Sequence, residues 1–379
     1  MSLRVAVISD TVDHVDGVSI GLRRLRAASV RRGHAMTLIG PGGPTPMVDE
    51  VIRIPAALSA ALPWYRQYTW SVPQLLPLLA QLARTADLVQ LATPGPMGFG
   101  GLVAARMLGL PVLAQYHTDV PEYAARMTRL GFMKGLVAPV VGWFYQQADL
   151  CLAPSATVAA RLTALGIAPT AIRRVRRGVD LTLFDPARRN RAALARYGIT
   201  AETPVALYVG RLSREKNLDG LRAAWRQIHA VRPDARLLVA GDGPQPALLT
   251  GPGVIRIGVL HGVELATVFA SADVFAFASE TETFGNVVVE AAASGLPAVV
   301  RAGGAAHEHV VAGETGLVTT STTAFARAVL ALLSDRDRRA RMAVAARAHA
   351  RRYDLNAAID ATWDIYHDVT GTARARFAS

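Results

Sequence analysis

The chain has 379 residues, 51% of them hydrophobic, enough for two domains with cores of their own. No apolar run reaches the ~18 residues of a membrane span, the first residues lack the cationic region and cleavage site of a secretory signal, and the single cysteine, Cys151, excludes an intramolecular disulfide. The formal charge of +12 asks for an anionic partner, either a nucleotide diphosphate or an anionic membrane surface; nucleic acid is set aside, because helix-turn-helix, zinc-finger and RNA-binding aromatic patterns are absent. A cytosolic location fits, with peripheral contact at the inner face of the cell membrane left open.

The first half alternates strands and helices. Leu3 to Ser9 reads as a buried strand, followed by a loop from Asp10 to Ser19 and a helix from about Ile20 to Arg32. Gly17 sits just before that helix, where a missing Cβ lets a backbone approach a phosphate. Strands follow at Met36–Gly40, Val51–Ile54 and Val89–Ala92. The stretch from Leu58 to Arg84 mixes Trp64, Tyr65, Tyr68 and Trp70 with Arg66 and Arg84; it suits a membrane interface and, equally, a helix packed on the sheet. Pro111 to Tyr116 is a strand that ends in Tyr116-His117-Thr118-Asp119-Val120-Pro121-Glu122-Tyr123, which puts a histidine at the ligand edge of a parallel sheet. Arg126 to Gln147 is apolar and helical; it suits an acceptor channel or a membrane-facing surface, and the core better. Ser155 caps the helix after the strand Leu150–Pro154.

The second half opens with the strand Val205–Val209, which runs into Gly210-Arg211-Leu212-Ser213-Arg214-Glu215-Lys216-Asn217. Arg211 and Lys216 are two cations beside a helix start, suited to a diphosphate leaving group. Only Lys134 and Lys216 are lysines among 41 basic residues, and an ammonium is not equivalent to a guanidinium. The other arginines, as at 336 to 352, read mostly as solvated faces. After the strand Arg236–Ala240 comes Gly241-Asp242-Gly243-Pro244, and after Val254–Ile257 comes Gly258-Val259. The buried strand Asp273–Ala278 leads into Glu282-Thr283-Phe284-Gly285-Asn286-Val287 and a helix that contains Glu290. The N–H groups of Gly285, Asn286 and Val287 form an anion site at a helix start. A carboxylate on either side of that site, Glu282 and Glu290, suits hydroxyl groups, so together the residues describe a site for a sugar joined to a diphosphate. Asp335-Arg336-Asp337 lies in a helical, arginine-rich stretch and is read as surface charge rather than a metal site.

The string ETETFGNVVVEAAASGLP resembles the signature of retaining family 4 glycosyltransferases of the GT-B fold. The Gly-Arg-Leu-Ser-Arg-Glu-Lys-Asn motif and the Tyr-His-Thr-Asp string extend the likeness, the latter toward a subgroup that uses GDP-mannose or makes glycolipids. The resemblance implies an α/β chain of two doubly wound, Rossmann-like domains facing each other across a deep cleft. An acceptor domain would span 1–180 with 353–379, and a donor domain 181–352. It also implies roles. Gly17, Arg211 and Lys216 would face the donor phosphates; Gly241 and Val259 would lie by the base. Glu282, with Phe284, Gly285, Asn286 and Val287, would hold the sugar diphosphate, and Glu290 the ribose. His117 would lie against the donor sugar, and Tyr116, Asp119 and Tyr123 on the acceptor side. The implied reaction is a retaining, metal-independent hexosyl transfer with no cofactor beyond the nucleotide-sugar co-substrate. GDP-mannose is the first donor, a UDP-linked hexose the alternative; the acceptor is a lipid or a small-molecule hydroxyl.

Two other classes fit less well. A nicotinamide oxidoreductase would carry GxGxxG after the first strand, where Asp10 to Asp16 stand instead. A non-catalytic nucleotide-sugar binder would have no need to keep Glu282, Lys216 and His117 together, and all three are present.

Overall fold

A computed structural model describes residues 2–12, 17–42, 50–62, 65–128 and 130–378. Residues 13–16 and Trp64, part of two segments singled out above, lie outside the described residues. The chain forms two compact units, 1–176 with 356–379, and 177–355.

The first unit holds β1 (Arg4–Ile8), α1 (Gly17–Arg31), β2 (Ala35–Pro41), β3 (Val51–Ile54), β4 (Ala56–Leu62), β5 (Tyr65–Pro73), α2 (Leu75–Thr85), β6 (Leu88–Leu91), α3 (Pro96–Met107), β7 (Val112–Gln115), α4 (Val120–Thr128), α5 (Met133–Gln146), β8 (Leu150–Ala153), α6 (Ala156–Ala164) and β9 (Ile172–Arg174). Seven of its strands form a parallel sheet in the order β3-β2-β1-β6-β7-β8-β9. Its central strands β1, β6, β7 and β8 are short runs rich in Val, Leu and Ala and buried on both faces, as a sheet covered by helices requires. The order reverses between β1 and β6. There Asp10, just past β1, accepts from Thr93 Oγ1 (2.6 Å) and from the Met97 N–H (2.9 Å), so it caps α3 in place of a local residue. Ser155 caps α6 through the Val158 N–H, as its position predicts.

Two expectations for this unit are corrected. The aromatic segment is not one packed helix. Its first part is an antiparallel ribbon of β4 and β5, tied across by Ser59 and Ser71 hydroxyls 3.0 Å apart, and only its last part is α2. Nor is α5 simply core. Val141, Phe144 and Tyr145 are buried, but Leu136, Val140 and Trp143 are 64%, 56% and 52% exposed at helical spacing on another face.

The second unit holds β10 (Val205–Val209), α7 (Leu218–Val231), β11 (Arg236–Ala240), β12 (Val254–Gly258), α8 (Gly262–Ser271), β13 (Val274–Phe277), α9 (Asn286–Ala293), β14 (Ala298–Arg301), β15 (Gly316–Thr319), α10 (Thr322–Ser334) and α11 (Arg336–Ala350). Its six strands run parallel in the order β12-β11-β10-β13-β14-β15. The reversal falls between β10 and β13, the crevice where open α/β sheets bind ligands. The last helix, α12 (Leu355–Ala378), packs on the first unit. Trp363 donates its indole N–H to Ser29 Oγ (2.8 Å) and stacks on His34 with ring centroids 4.0 Å apart; Tyr366 donates to the buried Gln90. Gln90 in turn donates to Gln115 on β7 (2.8 Å), so the buried polar atoms of two strands and one helix satisfy one another.

Candidate active site

The two motifs of the second half meet at the β10–β13 crevice. Lys216 follows β10 and Glu282 follows β13. Lys216 Nζ donates to Glu282 Oε1 at 2.6 Å, and Ser279 Oγ donates to the same oxygen at 2.8 Å. Both charged side chains are mostly covered, 16% and 13% exposed, so their attraction is screened less than at a surface. Asn217 makes the junction rigid. It sits in the left-handed region (φ 54°), its carbonyl side-chain oxygen caps α7 through the Gly220 N–H, and its amide donates to the Ala278 carbonyl (3.2 Å). A third tie runs from Thr281 Oγ1 to the Glu215 carbonyl, 2.9 Å. The loops after two adjacent strands are thus one unit, and Arg211 lies on it with its carbonyl held by the Tyr208 hydroxyl (3.0 Å).

The turn beyond Glu282 is equally constrained. The Glu282 carbonyl accepts from the Ala305 N–H at 2.8 Å. Gly285 has φ 92°, and a Cβ there would press on Ala306 at 3.2 Å, so only glycine fits without strain. No side chain caps α9. Its first N–H groups, from Asn286 and Val287, face the end of the helix that attracts anions. Glu290, on the second turn, is 7% exposed, which rules out a surface helix charge.

A cavity of about 520 Å³ opens beside these loops, lined among others by Leu212, Gly241, Asp242, Pro246, Arg256 and Val259. It brings together Gly241 and Val259, named separately from the sequence. Gly241 has φ 138°, and a Cβ would stand 2.0 Å from the Gly210 carbonyl oxygen.

In the first unit, Gly17 is the first residue of α1. His117, two residues past β7, is 7% exposed. Tyr116 and Asp119 are both buried, and Asp119 accepts from the Tyr116 hydroxyl (3.1 Å) and the Glu122 N–H (3.2 Å) and pairs with Arg161 (2.9 Å). They frame the loop; burial, with the Asp119 charge beside it, raises the Tyr116 pKa. The Tyr123 N–H donates to the Asp119 carbonyl as part of the same turn.

The chain matches the family models described as Glycosyltransferase Family 4, over residues 15–183, and Glycosyl transferases group 1, over 190–349. A GDP-mannose-dependent alpha-mannosyltransferase of Mycobacterium tuberculosis is 33% identical over 327 residues, 83% of this chain and 83% of that one. This chain is a family 4 glycosyltransferase. The sulfoquinovosyl transferase SQD2 of Arabidopsis thaliana is also 33% identical, over 318 residues, 81% of this chain and 61% of the plant protein's length. Sucrose-phosphate synthase of Thermosynechococcus elongatus superposes with a TM-score of 0.79 at 22% identity, covering 98% of this chain and 100% of that one. The fold is accordingly GT-B, and the glycosyltransferase moves a sugar from a nucleotide-sugar donor to an acceptor.

Several supports of this glycosyltransferase site escaped sequence reasoning. Ser279 stands three residues before Glu282, but a hydroxyl there has many readings until the distance is known. Arg347, taken for a solvated arginine, donates to the carbonyls of Phe184 and Ala293 (both 2.8 Å) and Leu181 (3.1 Å) and pairs with Asp185 at 2.5 Å. Arg177 lies 5.8 Å over the Phe284 ring, and burial lowers its pKa. Asp335 caps α11 through the Arg338 N–H (2.8 Å), which accounts for the first Asp of the Asp-Arg-Asp string. Among the described residues no group of three or more His, Cys, Asp or Glu could hold a metal ion.

Proposed function

We propose that this glycosyltransferase moves a mannosyl group from GDP-mannose to a hydroxyl of a lipid-borne acceptor, with retention and with protein cations in place of a metal. The observation that carries the reading is the Lys216–Glu282 pair at the strand-order reversal. One member suits a phosphate, the other a sugar hydroxyl, and the two stand against each other at 2.6 Å. In the reaction the bond from the anomeric carbon to the β-phosphate oxygen breaks, and its electron pair leaves with the nucleoside diphosphate. The acceptor oxygen forms the new bond on the same face and passes its proton to a departing phosphate oxygen. Arg211, Lys216 and the N–H groups of Asn286 and Val287 stabilise the charge that develops. Glu282 holds sugar hydroxyls, Glu290 the ribose diol, and the backbone at Gly241 and Val259 meets the base.

The mycobacterial relative's name supports GDP-mannose. The Arabidopsis relative's name gives a different sugar, and a UDP-linked hexose stays the second reading. The lipid acceptor rests on the exposed stripe of α5 and on the charge of +12, which suits an anionic bilayer. Contact with it would be peripheral: among the described residues no helix is long and apolar enough to cross a membrane.

A thermal-shift panel of GDP, GDP-mannose, UDP and UDP-glucose, each with and without chelator, tests the donor. Stabilisation by the guanosine pair that survives chelation is expected. Stabilisation only by the uridine pair would replace the donor, and loss of the shift on chelation would refute metal independence. Co-sedimentation with phosphatidylglycerol vesicles, weakened in Leu136→Ser/Trp143→Ser, tests the bilayer.

A further inference from the structure

The turn that leads from Glu282 into α9 hangs on an imidazole. His309, 5% exposed, closes the short helical stretch Ala305–His309. Its Nε2 lies 2.7 Å from the Phe284 carbonyl oxygen, and its Nδ1 lies 3.0 Å from the Tyr353 hydroxyl. A carbonyl only accepts, so Nε2 carries the proton; Nδ1 is then a lone pair and receives the Tyr353 O–H. One neutral tautomer satisfies both bonds. Burial supports it by holding the His309 pKa down at about 4.

The peptide unit is planar, so the Phe284 carbonyl and the Gly285 N–H point in opposite directions from one rigid plane. Whatever fixes the carbonyl also aims that N–H, and it is the N–H that leads into the anion end of α9. The rings repeat the constraint: Phe284 and His309 are 4.2 Å apart, and Tyr353 stands edge-on to His309 at 5.2 Å. Tyr353 belongs to the segment by which the chain leaves the second unit. Its carbonyl accepts from the Val179 N–H (2.8 Å), and the Leu355 N–H donates to the Val179 carbonyl (3.1 Å). Arg177, over Phe284, belongs to the segment by which the chain enters.

We propose that His309 and Tyr353 are positioning residues for the donor diphosphate, linking the entering and leaving segments of the second unit to the Phe284–Gly285 peptide. The proposal rests on the donor reading above. Neither residue touches donor; each acts through the peptide plane.

The test measures GDP and UDP affinity by calorimetry for wild type, His309→Leu, His309→Gln and Tyr353→Phe, with thermal stability recorded alongside. His309→Leu is expected to bind the preferred nucleotide about tenfold more weakly, the factor one buried hydrogen bond represents. His309→Gln restores an N–H toward Phe284 and should recover most of that loss, even where its melting temperature matches that of His309→Leu. Tyr353→Phe keeps the ring and removes one hydroxyl, and should cost about threefold. If His309→Leu does not fold, Tyr353→Phe carries the test alone. Folded variants that bind as wild type does, or a loss in His309→Leu that His309→Gln shares in full, overturn the relay while the donor reading stands. A wild type that binds neither nucleotide overturns the donor reading, and the relay with it.

Discussion

Lys216 and Glu282 make the site's most exposed claim to measurement. Each side chain is less than a fifth exposed, and their atoms meet at 2.6 Å. An exposed pair would contribute at most ~1 kcal/mol, and removing one partner of a fully buried pair costs about 3–5 kcal/mol. The observed cover lies nearer the second case, with Ser279 left to solvate the orphaned carboxylate, so we expect Lys216→Ala to destabilise the unit by about 2 kcal/mol. A double-mutant cycle with Glu282→Gln, read by urea unfolding, should return most of that as coupling. Ligand binding should split in the opposite way. Lys216→Ala removes a cation from the diphosphate and should weaken GDP by about 10- to 100-fold. Glu282→Gln releases Lys216 from its carboxylate, so GDP should bind as tightly as in wild type or more tightly, while the advantage of GDP-mannose over GDP shrinks. A coupling below about 0.5 kcal/mol, or equal losses of GDP affinity in both variants, would refute the reasoning that the two charges are paired with each other and divide between phosphate and sugar.

Other consequences follow from single residues. His309 has a folded pKa near 4 against an ordinary value of 6.5. The unfolded chain therefore binds the extra proton first, and stability falls as pH drops from 6.5 through 4, by about 3 kcal/mol more in wild type than in His309→Leu; parallel stability profiles by urea titration would contradict this. Burial raises the Cys151 thiol to about 12, and its Sγ faces the Tyr145 carbonyl, so native protein at pH 8 should resist iodoacetamide and react only once unfolded, as read by mass shift. Gly241→Ala forces a Cβ to within 2.0 Å of the Gly210 carbonyl oxygen at φ 138° and should abolish nucleotide stabilisation in a thermal-shift assay. Arg347→Met leaves three carbonyls and Asp185 without their donor and should cost at least about 2 kcal/mol in urea unfolding, with little change in nucleotide affinity.

Most parallel strands were legible because they are short runs rich in Val, Ile, Leu and Ala between turn residues, and β3, β10 and β11 match their expected bounds to the residue; the edge strand β9, Ile-Arg-Arg and largely exposed, was not. The ribbon of β4 and β5 was not. Ala56-Ala-Leu-Ser-Ala-Ala-Leu62 is made of helix formers, and only pairing with the aromatic and β-branched strand opposite holds it extended. For α5 the difficulty was different. The sequence Met133 to Gln146 is apolar on nearly every side, so periodicity shows a helix without showing which face is covered. The packing of Phe144 against Phe99 on α3, ring centroids 4.9 Å apart, decides that.

The same limit explains the site. Sequence order placed Lys216 and Glu282 each just past a strand, on the ligand edge of a sheet, and chemistry said what each could bind. Their meeting depends on β10 and β13 being neighbours, although β11 and β12 stand between them in the chain. A strand-order reversal is a property of how helices pack on two sides of a sheet, and no local pattern encodes it. Once the reversal is fixed, the remaining supports follow by distance alone. Asn217 reaches the Ala278 carbonyl, Thr281 reaches the Glu215 carbonyl, and His309 reaches the Phe284 carbonyl. All three donate to backbone oxygens, whose positions are set by the fold and not by the side chain of the residue that bears them. Supports of this kind stay invisible to motif reading, and they are where substitutions remote from the ligand should alter its binding.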